Sequence, residues 1–333
     1  MSNTFASLRQ KRFGDASVFL LALLVFGSVV AFAIYYYMDR RIGSTGPTPL
    51  EMQTAQLEQA VRDYPDVIGP RLALGDYYYT AGRFKESAEQ YEAALIINED
   101  YTIGQWGLGR ALVAAGEPDR ASVYFQKIID KAKEADIRGD LVGAAFFFMG
   151  KIALDKGNVD GAIELLKNAV AINRADGDSI YLLGAAYVAK GSYDEALPLL
   201  MRAVAFVPDF SDAYGQMVIA YTGKGLTTEA RYAKGMQLFS QGKLSDAAKE
   251  LEAVIASKPQ YAEAFVGLGL VREKQGQRDA AIRAYSQTLQ LQPDNFAARY
   301  GLVRLGVVQP TEQDVTHGVP QGGQPGSSQG GSR

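Results

Sequence analysis

Along most of this chain, apolar and small residues recur at helical intervals in short blocks punctuated by glycine. The stretch "SIYLLGAAYVAKGSYDEALPLL", residues 179 to 200, shows the unit. Its periodicity predicts one amphipathic helix over Ser179 to Ala189 and a second from Asp194 onward, with Lys190, Gly191 and Ser192 as the break. Gly191 suits the left-handed residue that ends a helix, and Ser192 with Glu195 three residues on has the form of a capping box. Gly184 and Ala196 are small enough to let the two helices approach, with Tyr187, Leu200 and Ala203 filling the contact. Such a hairpin cannot bury its apolar face alone, so it calls for stacked copies.

The copies are there, at steps of about 34 residues. "LGDYYYTAGRFKESAEQYEAAL" places Leu74, Gly75, Tyr78, Gly82, Tyr91 and Ala94 in the same slots, and "LGRALVAAGEPDRASVYFQKI" places Leu108, Gly109, Gly116, Ala121 and Phe125. "MGKIALDKGNVDGAIELLKNAV" gives Gly150, Gly157, Ala162, Leu166 and Ala169, and "LGLVREKQGQRDAAIRAYSQTLQLQP" gives Leu268, Gly269, Gly276, Ala281, Tyr285 and Pro293. In period and slots the chain resembles the tetratricopeptide repeat family over roughly residues 50 to 305. The resemblance implies an all-α, right-handed superhelical solenoid of about six to seven hairpins, with half-repeats at its ends. "EMQTAQLEQAVRDYP" reads as the leading single helix and "NFAARYGLVRL" as the closing one.

Two steps depart from the period. Between Gly109 and Gly150 the charged segment "DKAKEADIRGD" is additional and lengthens a helix or loop. After Val218 and Tyr221 the next match starts at Gly235, only about half a period on. A helix over about Thr228 to Ser240 then serves as second helix of one repeat and first helix of the next. This register break, near 226–242, is read either as a seam dividing the solenoid or as a degenerate repeat without consequence.

The amino-terminal part follows a different pattern. "ASVFLLALLVFGSVVAFAIYYYM", residues 16 to 38, carries no charge and is long enough to cross a bilayer core of about 30 Å. Tyr35, Tyr36 and Tyr37 fit an interfacial aromatic belt. Ala31-Phe32-Ala33 has the small-x-small form of a signal-peptide cleavage site, but the apolar run continues beyond it, which favours an uncleaved transmembrane helix. Arg9, Lys11 and Arg12 before the run outnumber Arg40 and Arg41 after it, placing residues 1–15 in the cytoplasm and the repeats across the membrane. Residues 39–49 form a flexible linker, 50–305 the solenoid, and 306–333, rich in Gly, Gln and Ser, a disordered tail.

Composition narrows the function. The formal net charge of −3 comes without a basic stripe, which argues against nucleic acid as a partner. There is no cysteine and a single histidine, His317, in the tail, so thiolate and imidazole chemistry have no basis, and neither a metal nor a cofactor is expected. No glycine run forms a phosphate loop; Gly107 and Gly109 come nearest and sit inside a repeat helix. The expectation is a non-enzymatic protein. With no cysteine for lipid attachment and no Asn-x-Ser/Thr, the preferred setting is a single-pass bacterial inner-membrane protein with a periplasmic repeat domain.

In the family that the chain resembles, the first helix of each hairpin lines a concave groove. Carried over by spacing, the groove residues are Leu72, Asp76 and Tyr79; Ile103, Trp106, Arg110 and Val113; Phe147, Lys151 and Leu154; Tyr181, Ala185 and Val188; Asp212 and Ile219. Aromatic residues and arginine are the types that dominate binding energy in protein interfaces. Trp106 alternatively packs between helices, and Phe146, Phe147 and Phe148 cannot all face one side. The cationic clamp by which some family members hold a chaperone-tail carboxylate is missing: its positions are Leu72, Asp76, Gly107, Ala144, Asp178, Leu182 and Phe148. The expected partners are other proteins, offering a hydrophobic or amphipathic segment, with the membrane held through residues 16–38. The leading expectation is a membrane-anchored scaffold that assembles or stabilises an envelope complex. The alternatives are a cytoplasm-facing docking receptor and an accessory subunit of a membrane enzyme complex.

Overall fold

A computed structural model of the chain describes residues 28–32, 34, 36, 48–135 and 139–309. Residues 28–32, 34 and 36 are helical. Most of the 16–38 apolar run, residues 1–15, most of the 39–49 linker, and the tail from 310, with His317, lie outside the described residues. Among the described residues no helix is long and apolar enough to cross a membrane.

Fifteen further helices follow, and among the described residues there is no strand. They are α1 (Pro49–Asp63), α2 (Ile68–Thr80), α3 (Phe84–Ile97), α4 (Thr102–Ala114), α5 (Pro118–Glu134), α6 (Asp140–Asp155), α7 (Val159–Ile172) and α8 (Gly177–Lys190). The series continues with α9 (Tyr193–Phe206), α10 (Ser211–Gly223), α11 (Thr227–Ser240), α12 (Leu244–Ser257), α13 (Ala262–Lys274), α14 (Arg278–Leu291) and α15 (Phe296–Arg304). The chain divides into two compact units, Met1–Gly107 and Leu108–Arg333, with the division inside α4.

Glycines with left-handed backbone, φ between 69° and 83°, close the hairpins and act as a ruler. Gly82 to Gly116, Gly157 to Gly191, Gly191 to Gly225 and Gly242 to Gly276 are each 34 residues apart. Gly116 to Gly157 is 41, and the excess goes partly into α5, which has 17 residues where α7 and α9 have 14. Gly225 to Gly242 is 17, half a period.

In the first unit α1 starts at a full capping box: the Thr48 hydroxyl accepts from the Glu51 amide, and the Glu51 carboxylate accepts from the Thr48 amide. Helices α2 and α3 pair around Tyr91, whose ring lies so close to Gly75 and Gly107 that added Cβ atoms would fall 3.1 and 2.3 Å from it. The Tyr91 hydroxyl donates to Asp76 at 2.6 Å. Burying so large a ring between two helices requires glycine on both sides and a partner for its hydroxyl.

The second unit repeats that design. Phe125 packs on Gly109, Leu166 on Gly150, Leu200 on Gly184, and Leu251 on both Gly235 and Gly267. Tyr285 is wedged between Gly269 and Gly301, and its hydroxyl donates to Glu273 at 2.9 Å. Within this unit the first helix α8 touches both its neighbours among the first helices, α6 and α10, whereas the second helices α7 and α9 do not approach as closely. The stack therefore curves with its first helices on the inside.

Helix α11 belongs to two pairs. It packs on α10 as a second helix and equally closely on α12 as a first helix, and it touches α13 as first helices do. Its first-helix side has the proper glycine, Gly235, with Leu251 against it as Leu200 lies against Gly184. Its second-helix side has Lys234 and Gln237 where α9 has Leu200 and Ala203, and Gln237 reaches Gly215 of α10.

One local expectation fails. Ser192 is the N-cap of α9 but its side chain makes no capping hydrogen bond. Its backbone lies at φ −86° and ψ 69°, outside the extended region usual for an N-cap; at nearly the same angles the longer side chain of Asn158 still reaches the Gly161 amide of α7.

Candidate functional site

The unpacked sides of the first helices are the surface to inspect in each unit. In the first unit Leu72, Tyr79 and Trp106 are half-buried, and Asp76 and Ile103 are exposed. Asp76 is committed to the Tyr91 hydroxyl, and Tyr79 packs edge-on against Phe84 at 5.4 Å. Ile103, 51 % exposed, is the bare apolar side chain of this set.

In the second unit Arg110, Val113, Phe147, Leu154 and Tyr181 are half-buried, while Lys151, Asp212 and Ile219 are exposed. Ile219 is 50 % exposed. Val188 and Ala185 are corrections: Val188, at 8 %, belongs to the hydrophobic core, and Ala185 is buried as well. Spacing puts Val188 in line with Tyr181, but α10 lies against α8, and Val188 joins a core cluster that includes Tyr214 and Met217 of α10.

The three consecutive phenylalanines separate as helix geometry demands. Phe146 is buried, Phe148 stacks on Phe125 at 5.2 Å with ring planes 9° apart, and Phe147 turns to a cavity of about 220 Å³. That cavity is also lined by Asp140, Gly143, Ala144, Ala169, Asn173, Asp176 and Asp178. Farther along, Tyr181 tilts against Phe210 with centroids 4.5 Å apart. Burial raises the Tyr181 phenol above its ordinary pKa, and the charge of Asp212 adds to the shift. Asp140, Asp176 and Phe210 were not picked out by spacing. Their signal is positional: Asp140 falls in the first turn of the first helix α6, and Asp176 and Phe210 are the N-cap residues of the first helices α8 and α10.

A second tyrosine group surrounds α11. Tyr232 meets Tyr261 edge-on at 5.3 Å, and the Lys258 ammonium lies 5.0 Å above the Tyr261 ring while pairing with Glu229 at 3.1 Å. Burial pushes the Tyr214 phenol up to about 12, helped by Asp209, and lifts Tyr221, Tyr232 and Tyr261 as well. These phenols are neutral packing groups at physiological pH. Another cleft, of about 450 Å³, opens between α12 and α14 and is lined by Glu252, Phe265, Leu268, Arg272, Arg283 and Gln287 among others. Among the described residues no group of three or more His, Cys, Asp or Glu is placed to hold a metal ion.

Stacked helical hairpins that leave aromatic and aliphatic side chains on an inner surface are the build of a protein-interaction scaffold. Family comparison agrees with that class. Models described as tetratricopeptide repeat match residues 72–136, 153–231 and 268–311, and one described as TPR repeat matches 235–276. The chain belongs to the tetratricopeptide repeat family.

No curated protein matches it. Among solved structures it is similar to MamA protein, with 25% identity over 54% of this chain and 93% of that one and a TM-score of 0.46. It is also similar to the C-terminal part of a TPR repeat-containing protein from Cytophaga hutchinsonii, with 15% identity over 81% and 99% and a TM-score of 0.48. A tetratricopeptide repeat protein from Parabacteroides merdae shows 15% identity over 81% and 95%, with a TM-score of 0.45. None of these scores reaches 0.5, so the family assignment rests on the repeats themselves.

Proposed function

We propose that the protein is a non-enzymatic, membrane-anchored scaffold that binds partner proteins through the inner surface of its repeats and so assembles or stabilises a complex of the bacterial envelope. The observation that carries the binding surface is the set of apolar and aromatic side chains left open along the first helices: Ile103 in one unit, and Phe147, Tyr181 and Ile219 in the other. Isolated apolar side chains on a surface are ordinary, but within the second unit Phe147, Tyr181 and Ile219 fall on three successive first helices, which matches the way binding surfaces are built. Anchoring is supported by the uncharged run at residues 16–38, and the periplasmic location by Arg9, Lys11 and Arg12 preceding it.

Topology is tested in the chain as it stands because it has no cysteine. Ser2→Cys and Ser327→Cys are introduced singly, and cells with an opened outer barrier are treated with an impermeant maleimide. Labelling of Ser327→Cys alone, with the amino terminus intact, is expected. Labelling of Ser2→Cys alone inverts the molecule and removes the envelope role. For the binding surface, partners recovered with wild type are compared with those of the Trp106→Ala/Tyr181→Ala double variant. Identical recovery would contradict the inner surface as the docking face.

A further inference from the structure

We propose that the inner face of α6, α8 and α10 takes an extended segment of a partner protein in which Lys or Arg alternates with large apolar side chains. This rests on the reading of that face as the partner-binding surface and specifies the chemistry it selects.

At the starts of three second helices, α5, α7 and α9, an aspartate is engaged by a lysine from the next repeat: Asp119 by Lys156, Asp160 by Lys190 at 2.7 Å, and Asp194 by Lys224. At the starts of the first helices, Asp140, Asp178 and Asp212 are exposed and have no ion pair among the described residues. Each gains a little from its own helix dipole. That gain is shared by the paired aspartates, so it does not account for the difference. Asp279, at the start of the second helix α14, is exposed and without an ion pair among the described residues as well, so what sets Asp140, Asp178 and Asp212 apart is their place beside aromatic side chains, Phe147 for the first two and Tyr181 for the third.

Phe147 forms an apolar wall of the cavity that Asp140, Asp176 and Asp178 rim. Its volume, about 220 Å³, is below the roughly 300–1,000 Å³ of small-molecule sites and matches one inserted side chain. A long side chain with an apolar stem and a cationic head satisfies both parts, the stem on the ring and the head at the carboxylates. One turn from Asp178, Tyr181 presents its half-buried ring near Asp212, a second place where an aromatic face and a carboxylate converge. Ile219, two turns beyond Asp212 on α10, supplies open apolar area for the residues between the cations. The inner-face base of α6, Lys151, lies one turn beyond Phe147 and eleven residues from Asp140, about 16 Å along the helix from the first-turn carboxylate. Charge complementarity therefore selects a basic occupant along the first turns of α6, α8 and α10 and disfavours an acidic one.

The test uses the full chain in phosphatidylcholine nanodiscs, with empty discs subtracted, and fluorescein-labelled peptides of about twelve residues read by anisotropy. Three probes alternate Leu with Lys, with Gln or with Glu. The Lys peptide is expected to bind about tenfold more tightly than the Gln peptide at about 50 mM salt, and the Glu peptide more weakly than either, with the spread shrinking at about 300 mM. In the Asp178→Asn/Asp212→Asn variant, with its melting transition unchanged, the Lys preference is expected to disappear while Gln-peptide affinity stays. Equal binding of all three peptides, or a Lys preference that survives the double substitution, overturns the proposed chemistry. Binding of the Gln peptide that Tyr181→Ala weakens would then leave the docking face itself standing. If Tyr181→Ala changes binding of no peptide, both the chemistry and the docking face fall.

Discussion

Helix α8 has two sides made from the same few residue types. Towards α9, Gly184 lets Leu200 approach so closely that an added Cβ would sit 2.9 Å from it, and Leu200 and Ala196 are completely buried. On the other side Asp178 is exposed and Tyr181 half-buried, with Phe210 as its aromatic neighbour. The packed side cannot change by a methyl group without moving a neighbour, whereas the open side has room and uncompensated charge. Stability and recognition are thus separated across a single helix, and substitutions on the two sides should be felt in different measurements.

The largest loss is expected on the packed side. Leu200→Ala should lower the unfolding free energy by about 2–5 kcal/mol, measured by denaturant titration, because a fully buried side chain leaves a cavity. Gly269→Ala follows at about 1–3 kcal/mol, since its Cβ would lie 2.4 Å from the Tyr285 ring. A stability loss no greater than that of an exposed control would show that the packing described is not the source of cohesion.

Next comes the lock that closes the stack. Arg304 holds Glu273 through two hydrogen bonds of 2.6 Å, and with the Tyr285 hydroxyl it keeps that carboxyl below its ordinary pKa. A depressed carboxylate pKa stabilises the fold above the unfolded-state value, near 4.3, and the contribution fades as pH falls through the folded value. Glu273→Gln should therefore be less stable than wild type at pH 7, and the two should converge under acid. A difference that persists at pH 2 would point to lost packing instead.

Smaller still, Lys224→Met should cost no more than about 1 kcal/mol, the usual worth of an exposed ion pair. On the open side Asp178→Asn and Ile219→Ser should alter stability by less than about 0.5 kcal/mol while weakening partner binding. A melting shift as large as that of Leu200→Ala would place these residues on the packed side.

Much of the packed side is legible in the sequence, since glycine, alanine and one large residue recur at fixed slots such as Gly184, Ala196 and Leu200. The half-period step to Gly235 is legible for the same reason. The open side is harder to read. Val188 follows Tyr181 at the spacing of one helix stripe, yet its burial is decided by α10, which no local pattern reports. The Ser192 cap has the right residue types, but from the backbone angles that follow Gly191 the short serine side chain makes no capping bond, whereas Asn158 at similar angles does. Asp140 and Asp176 look like ordinary helix-start residues until the fold brings them round Phe147. Residue spacing fixes which side of a helix a residue occupies, and only the neighbouring repeats fix whether that side is covered.

The most direct measurement places a photo-crosslinking residue at either of two equally bare positions in cells. Ile219, on the inner first helix α10, is 50 % exposed, and Met201, on the second helix α9, is 53 % exposed. If the inner face is where partners dock, Ile219 gives a discrete higher-mass adduct and Met201 gives none. Adducts from Met201 with none from Ile219 would contradict the account.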